Sequence, residues 1–438
     1  MFLSKRICRK KALQSLQWFN SKSMASKPEV FKDMTTFDLV KRGVIYKMSQ
    51  SDILLNNGEW LAKQSYQFLG KHITNGLIEC TGGEIFTSGP TIKTLIEDVD
   101  RFYYEDGILS GAGYVLEGCE QDDIALFDNC TNYLLETLDR VCKTRPYCSL
   151  AIKLTGLAHM DMFKIANKAH FMFFYHLFKK YATQRGNDRL VLTRDALIEF
   201  LRRNKYHVTD ANVDEFIEIV KFKDSKYGKD EIGELEFFSN VSSHYFRSDK
   251  HHADIIHQVC ERSGLTPEIR EALNRFEKRI DRIVDRAAKY GTKLFIDAEQ
   301  SYIQLALDSF ARQIQTHYHK DRRAFVLNGV QSYLKLSHDH VLLEVERCRA
   351  LGIGFGLKLI RGAYYNEEVR LAEEKKYPSP VFETLEGSHK SYDSNITHLM
   401  NNLNPDTDFL LMGTHNVEST KLAKSLISKN KLTGNNVC

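Results

Sequence analysis

Residues 325–331, FVLNGVQ, form a near-continuous apolar run that closes on a polar side chain. A run of this kind is typical of a strand buried on both faces of a parallel sheet. Helical patterns separate it from similar runs, and this alternation predicts a parallel α/β fold, either a barrel or an open doubly wound sheet. The other predicted strands lie at 111–117, 150–155, 293–298, 356–361 and 409–413.

Two of the intervening segments have clear helical periodicity. Residues 269–288 place apolar side chains at steps of three or four, with charged residues on the opposite face. Residues 417–429 repeat this pattern, and Asn416 directly before them is a good candidate for the N-cap. We therefore expect these helices to pack against the sheet.

The interval between residues 155 and 293 is much longer than the other strand-to-strand steps, so it must hold an insertion. We predict that 161–265 is a helical module. Its helices are expected at 161–183, 193–203 and 210–221.

Specific side chains support these helices. Phe171, Phe174 and Phe178 are spaced as a core stripe in the first helix, and Asp210 is the predicted N-cap of the third. The following stretch, 223–238, resembles a degenerate half of an EF-hand, which needs oxygen ligands at alternating loop positions. Counting from Gly228 or from Asp224 places apolar or basic residues at ligand positions. Neither register is suited to calcium.

The excess of positive charge lies in the first residues of the chain. The chain of 438 residues has a net charge of +4, yet its first 28 residues contain seven bases and no acid. This basic, serine-containing and acid-free segment predicts a mitochondrial transit peptide at 1–28. The remainder is slightly acidic, which argues against a nucleic-acid partner. The nine cysteines form no C-x-x-C pair and favour a reducing compartment.

Polar side chains recur where the apolar runs end. In a parallel barrel, these carboxyl ends gather at one mouth, which is where barrel active sites lie. A single such residue is most simply a helix cap or a solvent-reaching charge, but recurrence on five strands favours a site for an anionic, aromatic cofactor. No G-x-G-x-x-G follows a strand, and no Walker, H-E-x-x-H or G-x-S-x-G motif is present. The recurring residues are Lys153, Asp297, Glu299, Asn328, Gln331, Lys358, Arg361, Thr414, His415 and Asn416.

The motifs AIKLTGL, DAEQSY, KLIRGAYYNEE and THN, in this order, resemble those of the proline dehydrogenase family of mitochondrial flavoenzymes. The resemblance runs from about residue 60 to about residue 430. It implies a (βα)8 barrel that binds FAD noncovalently and oxidises L-proline to Δ1-pyrroline-5-carboxylate. It also implies transfer of the electrons to ubiquinone, by an enzyme associated peripherally with the matrix side of the inner mitochondrial membrane. No metal is implied.

The resemblance also implies roles for individual residues. Lys153 matches the lysine that faces the proline carboxylate, Asp297 the aspartate that orders the substrate-side basic residues, and Tyr364 the aromatic residue beside the flavin ring. A further set matches the family's cofactor contacts. Asn328 and Gln331 match amides near the flavin ring, and Lys358, Arg361, Gly362 and Ala363 match basic and small residues along the flavin. Thr414 and His415 match contacts to its ribityl–pyrophosphate part.

Two departures from the family pattern qualify this resemblance. The first strand has Gly113-Tyr114 where the family usually has Asp-Tyr. The sequence reaches Cys438 where a seventh strand would start, so we expect a barrel without its last two strands and closing helix, which carries the family's R-R-x-x-E-N motif. Hydroxyproline dehydrogenase and a noncatalytic relative that binds a full-length partner remain alternatives.

These inferences divide the chain into four parts. The transit peptide is followed at 29–160 by N-terminal helices and the first barrel strands. The insertion at 161–265 comes next, and 266–438 is expected to contain barrel strands three to six and to bind FAD.

Overall fold

The computed structural model describes residues 35–89, 91–114, 116, 118–185, 189–241, 254–320 and 323–438. Two compact units are present, Met1–Ser110 and Gly111–Cys438. The predicted transit peptide at 1–28 lies outside the described residues.

The described part of the first unit is helical. Its helices are α1 (Thr36–Met48), α2 (Asp52–Ile78) and α3 (Ile92–Tyr104), with a π-helical turn at Glu79–Gly83 after α2. Gly70 has φ of 75° and kinks α2, which a residue without a Cβ tolerates. Thr91 caps α3 through a bond from the backbone N–H of Thr94.

The second unit is built on a six-stranded sheet, and all six strands predicted for it are confirmed. They are β1 (Ser110–Gly113), β2 (Cys148–Ile152), β6 (Leu294–Ile296), β7 (Val326–Gln331), β8 (Gly356–Ile360) and β9 (Phe409–Gly413). Their order is β1-β2-β6-β7-β8-β9, and the pairs from β2 to β9 are parallel. The sheet is a curled half-barrel of the expected α/β class.

Helices connect the strands in the predicted alternation. Two of them closely match the predicted bounds, and Asn416 caps the last helix by accepting from the backbone N–H of Ser419. The helices are α4 (Ile124–Arg140), α9 (Pro267–Tyr290), α10 (Ser301–Tyr318), α11 (Ser337–Ala350), α12 (Tyr365–Lys375), α13 (Leu385–Asn402) and α14 (Val417–Lys429).

Apolar side chains pack on both faces of this sheet. One cluster joins Val330, Leu357 and Leu359 to buried residues of α11 and α13. A second cluster contains Phe295, Leu327 and Phe409. Because successive side chains of a strand point to opposite faces, the two clusters mark the helix-covered face and the inner face. This assignment decides which polar residues can share a site.

The inserted segment is more varied than the helical module that the sequence predicts. Its helices are α5 (Met160–Phe171), α6 (Arg194–Arg203), α7 (Asp210–Val220) and α8 (Asp254–Ser263). It also has a three-stranded antiparallel sheet of β3 (Thr183–Gln184), β4 (Leu190–Thr193) and β5 (Glu231–Gly233). The strands are only two to four residues long, too short for the period of two to stand out in the sequence.

Two details of the insertion correct the prediction. After α5 the chain continues as a π-helical segment, Met172–Phe178, which shifts the buried face to Phe173, Leu177 and Phe178 and leaves Phe171 43% exposed. The extra residue per π turn rotates the stripe away from the α-helical spacing. The N-cap of α7 is Thr209 and not Asp210, because Thr209 and Asn212 form a reciprocal capping box.

In and next to the EF-hand-like stretch, 223–238, side chains form hydrogen bonds with backbone groups of the chain. Glu236 is buried and accepts hydrogen bonds from the backbone N–H groups of Phe222 and Gly233, at 3.2 and 2.9 Å. Lys221 Nζ donates to the backbone carbonyls of Tyr227 and Gly228. Polar groups of the chain itself therefore satisfy this loop.

Candidate active site

Strand register brings most of the predicted residues to one edge of the sheet. Ile152 pairs with Ile296, and Ile360 pairs with both Gln331 and Gly413. The residues that directly follow these strand ends therefore lie side by side. They include Lys153, Asp297, Arg361 and Thr414.

Lys358 and Asp297 form an ion pair on this edge. The Lys358 Nζ lies 2.5 Å from Asp297 Oδ1, and the two side chains are 20% and 24% exposed. The backbone N–H of Asp297 donates to the carbonyl of Ile152 at 3.0 Å, which fixes the aspartate between β2 and β8. The structure thus pairs Asp297 with Lys358, and the role of Asp297 in ordering the substrate-side basic residues stays a prediction.

Arg361, in contrast to Lys358, forms hydrogen bonds to three side chains and, among the residues that the structure describes, no ion pair. Its Nε donates to His389 Nδ1 at 3.0 Å, one terminal nitrogen to Thr414 Oγ1 at 3.0 Å, and the other to Ser419 Oγ at 2.7 Å. The guanidinium also lies 4.3 Å from the ring centroid of Tyr392. Burial raises the pKa of Tyr392 to about 12, against the opposing effect of the Arg361 charge, so the phenol remains neutral.

All three partners of Arg361 are therefore neutral acceptors. Within the described residues, no carboxylate oxygen lies within salt-bridge distance of Arg361. The N-terminus of α14 lies beside it, because Ser419 is in the first turn of that helix. A cation without a paired anion, next to a helix N-terminus, is suited to hold an anionic group.

Gln331 is buried, and its side-chain amide forms hydrogen bonds with two backbone groups. Its Nε2 donates to the carbonyl of Glu299 at 2.8 Å, and its Oε1 accepts from the N–H of Ala363 at 3.0 Å. The amide thus ties the DAEQ segment to the turn that follows β8. Its predicted contact with a flavin remains a prediction.

The glycine of the turn has a packing role within the protein. A Cβ on Gly362 would lie 2.4 Å from Cγ of Tyr333, and φ of Gly362 is 155°. Only glycine fits both constraints. Tyr364 is half-buried and precedes α12, whereas His415 is exposed after β9.

Asn328 is not brought to the edge with the others, and its predicted place beside the flavin is corrected. It lies on the helix-covered face, where its Nδ2 donates to Asp308 Oδ1 of α10 at 2.9 Å. Gln304 of the same helix donates to that carboxylate oxygen at 2.8 Å. The physical reason is the period of two: residue 328 points away from the face shared by 327, 329 and 331.

Sequence reasoning identified Thr414 but missed the other partners of Arg361. His389 and Tyr392 lie on α13 and Ser419 lies on α14, so the search for polar strand ends could not find them. The spacing of His389, Tyr392 and Asp393, at i, i+3 and i+4, would have indicated a shared helix face. No group of three or more metal-ligating side chains occurs in the described part of the chain.

Comparisons with known proteins agree with this architecture. The family model described as proline dehydrogenase matches residues 183–438. The mitochondrial proline dehydrogenase 1 of Arabidopsis thaliana is 31% identical over 409 residues, which cover 91% of this chain and 69% of the relative. Proline dehydrogenase 2 of the same plant is 30% identical over 170 residues, covering 38% of this chain and 36% of the relative.

Two further similarities are informative. A hydroxyproline dehydrogenase of Xenopus laevis is 29% identical over 159 residues, covering 35% of this chain and 34% of that relative. The crystal structure of proline utilization A from Bdellovibrio bacteriovorus, inactivated by N-propargylglycine, aligns with a TM-score of 0.52 and 13% identity. That alignment covers 100% of this chain and 37% of the other, and it supports the fold. With the family match and the long Arabidopsis alignment, the chain belongs to the proline dehydrogenase family.

Proposed function

We propose that this protein oxidises L-proline to Δ1-pyrroline-5-carboxylate with FAD as its cofactor. The observation that carries the proposal is the edge of the half-barrel where Lys153, Asp297 and Arg361 follow the ends of β2, β6 and β8, in a chain of this family. The carboxyl ends of parallel barrel strands are where this architecture binds its substrates.

The described residues fit an anionic flavin dinucleotide. Arg361 is not directly paired with a carboxylate of the described residues, and the α14 N-terminus next to it presents backbone N–H groups. Arg361 and Thr414 would hold the pyrophosphate side, and the turn at Gly362–Ala363, braced by Gln331, would line the ring. FAD, when bound, supplies the acceptor for the hydride that leaves proline.

Other residues would bind and orient the substrate. Lys153 is placed to attract the proline carboxylate, and Asp297 keeps Lys358 from competing for that anion by pairing with it. Tyr364 would cover the ring and help to exclude water, which strengthens these electrostatic contacts.

The proposed setting is the mitochondrion, with ubiquinone as electron acceptor at the matrix side of the inner membrane. Support comes from relatives that are named mitochondrial and from the basic, acid-free residues 1–28. No helix in the described ranges is long and apolar enough to cross a bilayer. The membrane association that we propose is peripheral.

The Xenopus relative makes hydroxyproline the second candidate substrate. The test is dye-coupled oxidation by the FAD-loaded protein with L-proline and with hydroxyproline at equal concentrations. Faster turnover of L-proline supports the proposal, and faster turnover of hydroxyproline supports the second candidate. Bound FAD without turnover of either would favour a noncatalytic relative.

A further inference from the structure

Lys358 and Arg361, the two basic residues of the KLIR motif, have side-chain partners of different charge. Lys358 is paired with Asp297, whereas Arg361 makes all its side-chain hydrogen bonds to uncharged atoms. A guanidinium that keeps its full charge attracts an anion more strongly than an ion-paired one. Neutral acceptors can therefore fix its orientation without reducing that attraction.

The bond from Arg361 fixes the state of His389. Because Arg361 Nε always carries a proton, His389 Nδ1 must be an acceptor, and the neutral ring carries its proton on Nε2. His389 is half-buried on α13, one helical turn before the Tyr392 ring that lies under the guanidinium. The imidazole and the phenol ring thus hold the guanidinium from the same helix.

Ser419 of α14 also orients the Arg361 guanidinium. Ser419 is 1% exposed, and its Oγ donates to Asp393 Oδ1 at 2.5 Å. Since that hydroxyl proton is committed to Asp393, the Ser419 oxygen presents a lone pair to Arg361. Asp393 therefore acts on Arg361 through the serine and not by direct ion pairing.

From this geometry we infer that His389 and the Ser419–Asp393 pair are positioning residues that orient Arg361 for the anionic part of the cofactor without a direct ion pair to it. The inference rests on the proposed function, because it assumes that FAD is the anion bound. His389 and Ser419 act through Arg361 and need not touch the cofactor.

The test is titration of FAD into the flavin-free full chain, followed by the change in flavin fluorescence. We expect His389→Leu to weaken FAD binding by roughly tenfold, because a charged donor loses its acceptor. His389→Gln offers an amide oxygen in place of Nδ1 and is expected to stay within about threefold of wild type. His257→Leu is the matched control, because His257 Nδ1 also faces an arginine, Arg270 at 3.4 Å, but lies in the inserted segment on α8.

Thermal unfolding of the same variants separates orientation from folding. Equal affinities for wild type and folded His389→Leu would overturn the inference while leaving the proposed function intact. Failure of His389→Gln to restore binding would also overturn it. A folded wild-type chain that takes up no FAD would refute both proposals. Ser419→Ala provides an independent check, since it is expected to weaken binding in the same direction.

Discussion

At the scale of single residues, Lys358 and Arg361 show how neighbours with similar chemistry acquire different tasks. Their positions differ by three, yet one side chain meets a carboxylate at 2.5 Å and the other meets only neutral oxygen and nitrogen atoms. Sequence could identify both as cations at a strand end. It could not distinguish them, because most partners of Arg361 come from helices that begin 24 and 56 positions after it.

Removing the unneutralised charge gives the first prediction. Arg361→Met is expected to weaken FAD binding by about ten- to a hundredfold, since a charged hydrogen bond to the cofactor is lost. Lys335→Met is the control: that lysine is 41% exposed and lies 3.9 Å from Glu383, a surface pair of little energetic weight. Flavin titration measures both. Equal affinities for the two variants would argue against a cofactor role for Arg361.

A second residue-scale prediction concerns the substrate. Lys153→Met keeps the length of the side chain but removes the cation proposed to face the proline carboxylate. We expect proline binding to weaken by about 1.5–3 kcal/mol, roughly ten- to over a hundredfold, with little change in FAD content. The Michaelis constant for proline and the flavin absorbance measure the two effects. Lost flavin with an unaltered Michaelis constant would reassign Lys153 to the cofactor.

Asn328 and Gln331 show where residue-level prediction is limited. Both are amides of the same strand, but they point to opposite faces, one to Asp308 and the other to Ala363. A continuous apolar run conceals this difference, because strands buried on both faces lack the alternation that marks inside and outside. The structure was needed to separate them.

At the scale of elements, the six strands of the main sheet were predictable because each is a short apolar run between helical patterns. The π-helical segment Met172–Phe178 and the short antiparallel strands of the insertion were not. Their formation depends on tertiary contacts, such as the stacking of Phe173 on Phe216, that a local pattern does not contain.

The corrected cap of α7 provides a third prediction. Thr209 Oγ1 accepts from the N–H of Asn212 at 3.1 Å, so Thr209→Ala is expected to cost about 1 kcal/mol of unfolding free energy. Asp210→Ala should cost less than about 0.5 kcal/mol, because the carboxylate is 92% exposed and makes only a surface pair with Arg194. Denaturant unfolding compares them. A larger loss for Asp210→Ala would restore Asp210 as the cap.

The turn after β8 gives a fourth prediction. Gly362→Ala places a Cβ against the Tyr333 ring and is expected to displace the Arg361–Ala363 backbone, with FAD affinity reduced at least tenfold. The matched control is Gly434→Ala, because no atom lies within 4 Å of the added Cβ there. Flavin binding that survives in folded Gly362→Ala would show that the turn tolerates the shift.

At the scale of the whole molecule, one buried histidine makes stability depend on pH. Burial lowers the pKa of His170 to about 3, and the nearby Arg312 charge acts in the same direction. The unfolded chain takes up this proton near pH 6.5 and the folded chain does not, so the free energy of unfolding falls as the pH drops from about 6.5 towards 3.

This linkage predicts a loss of about 2 kcal/mol between pH 6.5 and pH 5. His170→Phe has no such proton to bind and should lose correspondingly less over this range. Unfolding measured at both pH values for the two proteins isolates the difference. Parallel pH curves would mean that His170 is not kept neutral by the fold.

The most direct test of the account as a whole is the absorption spectrum of the FAD-loaded chain before and after anaerobic addition of L-proline. We predict a bound oxidised flavin whose absorbance near 450 nm bleaches on proline addition, because a hydride, which carries two electrons, passes from proline to the cofactor while a proton is released. A folded chain that binds no FAD, or a bound flavin that proline leaves unbleached, would contradict the proposed activity.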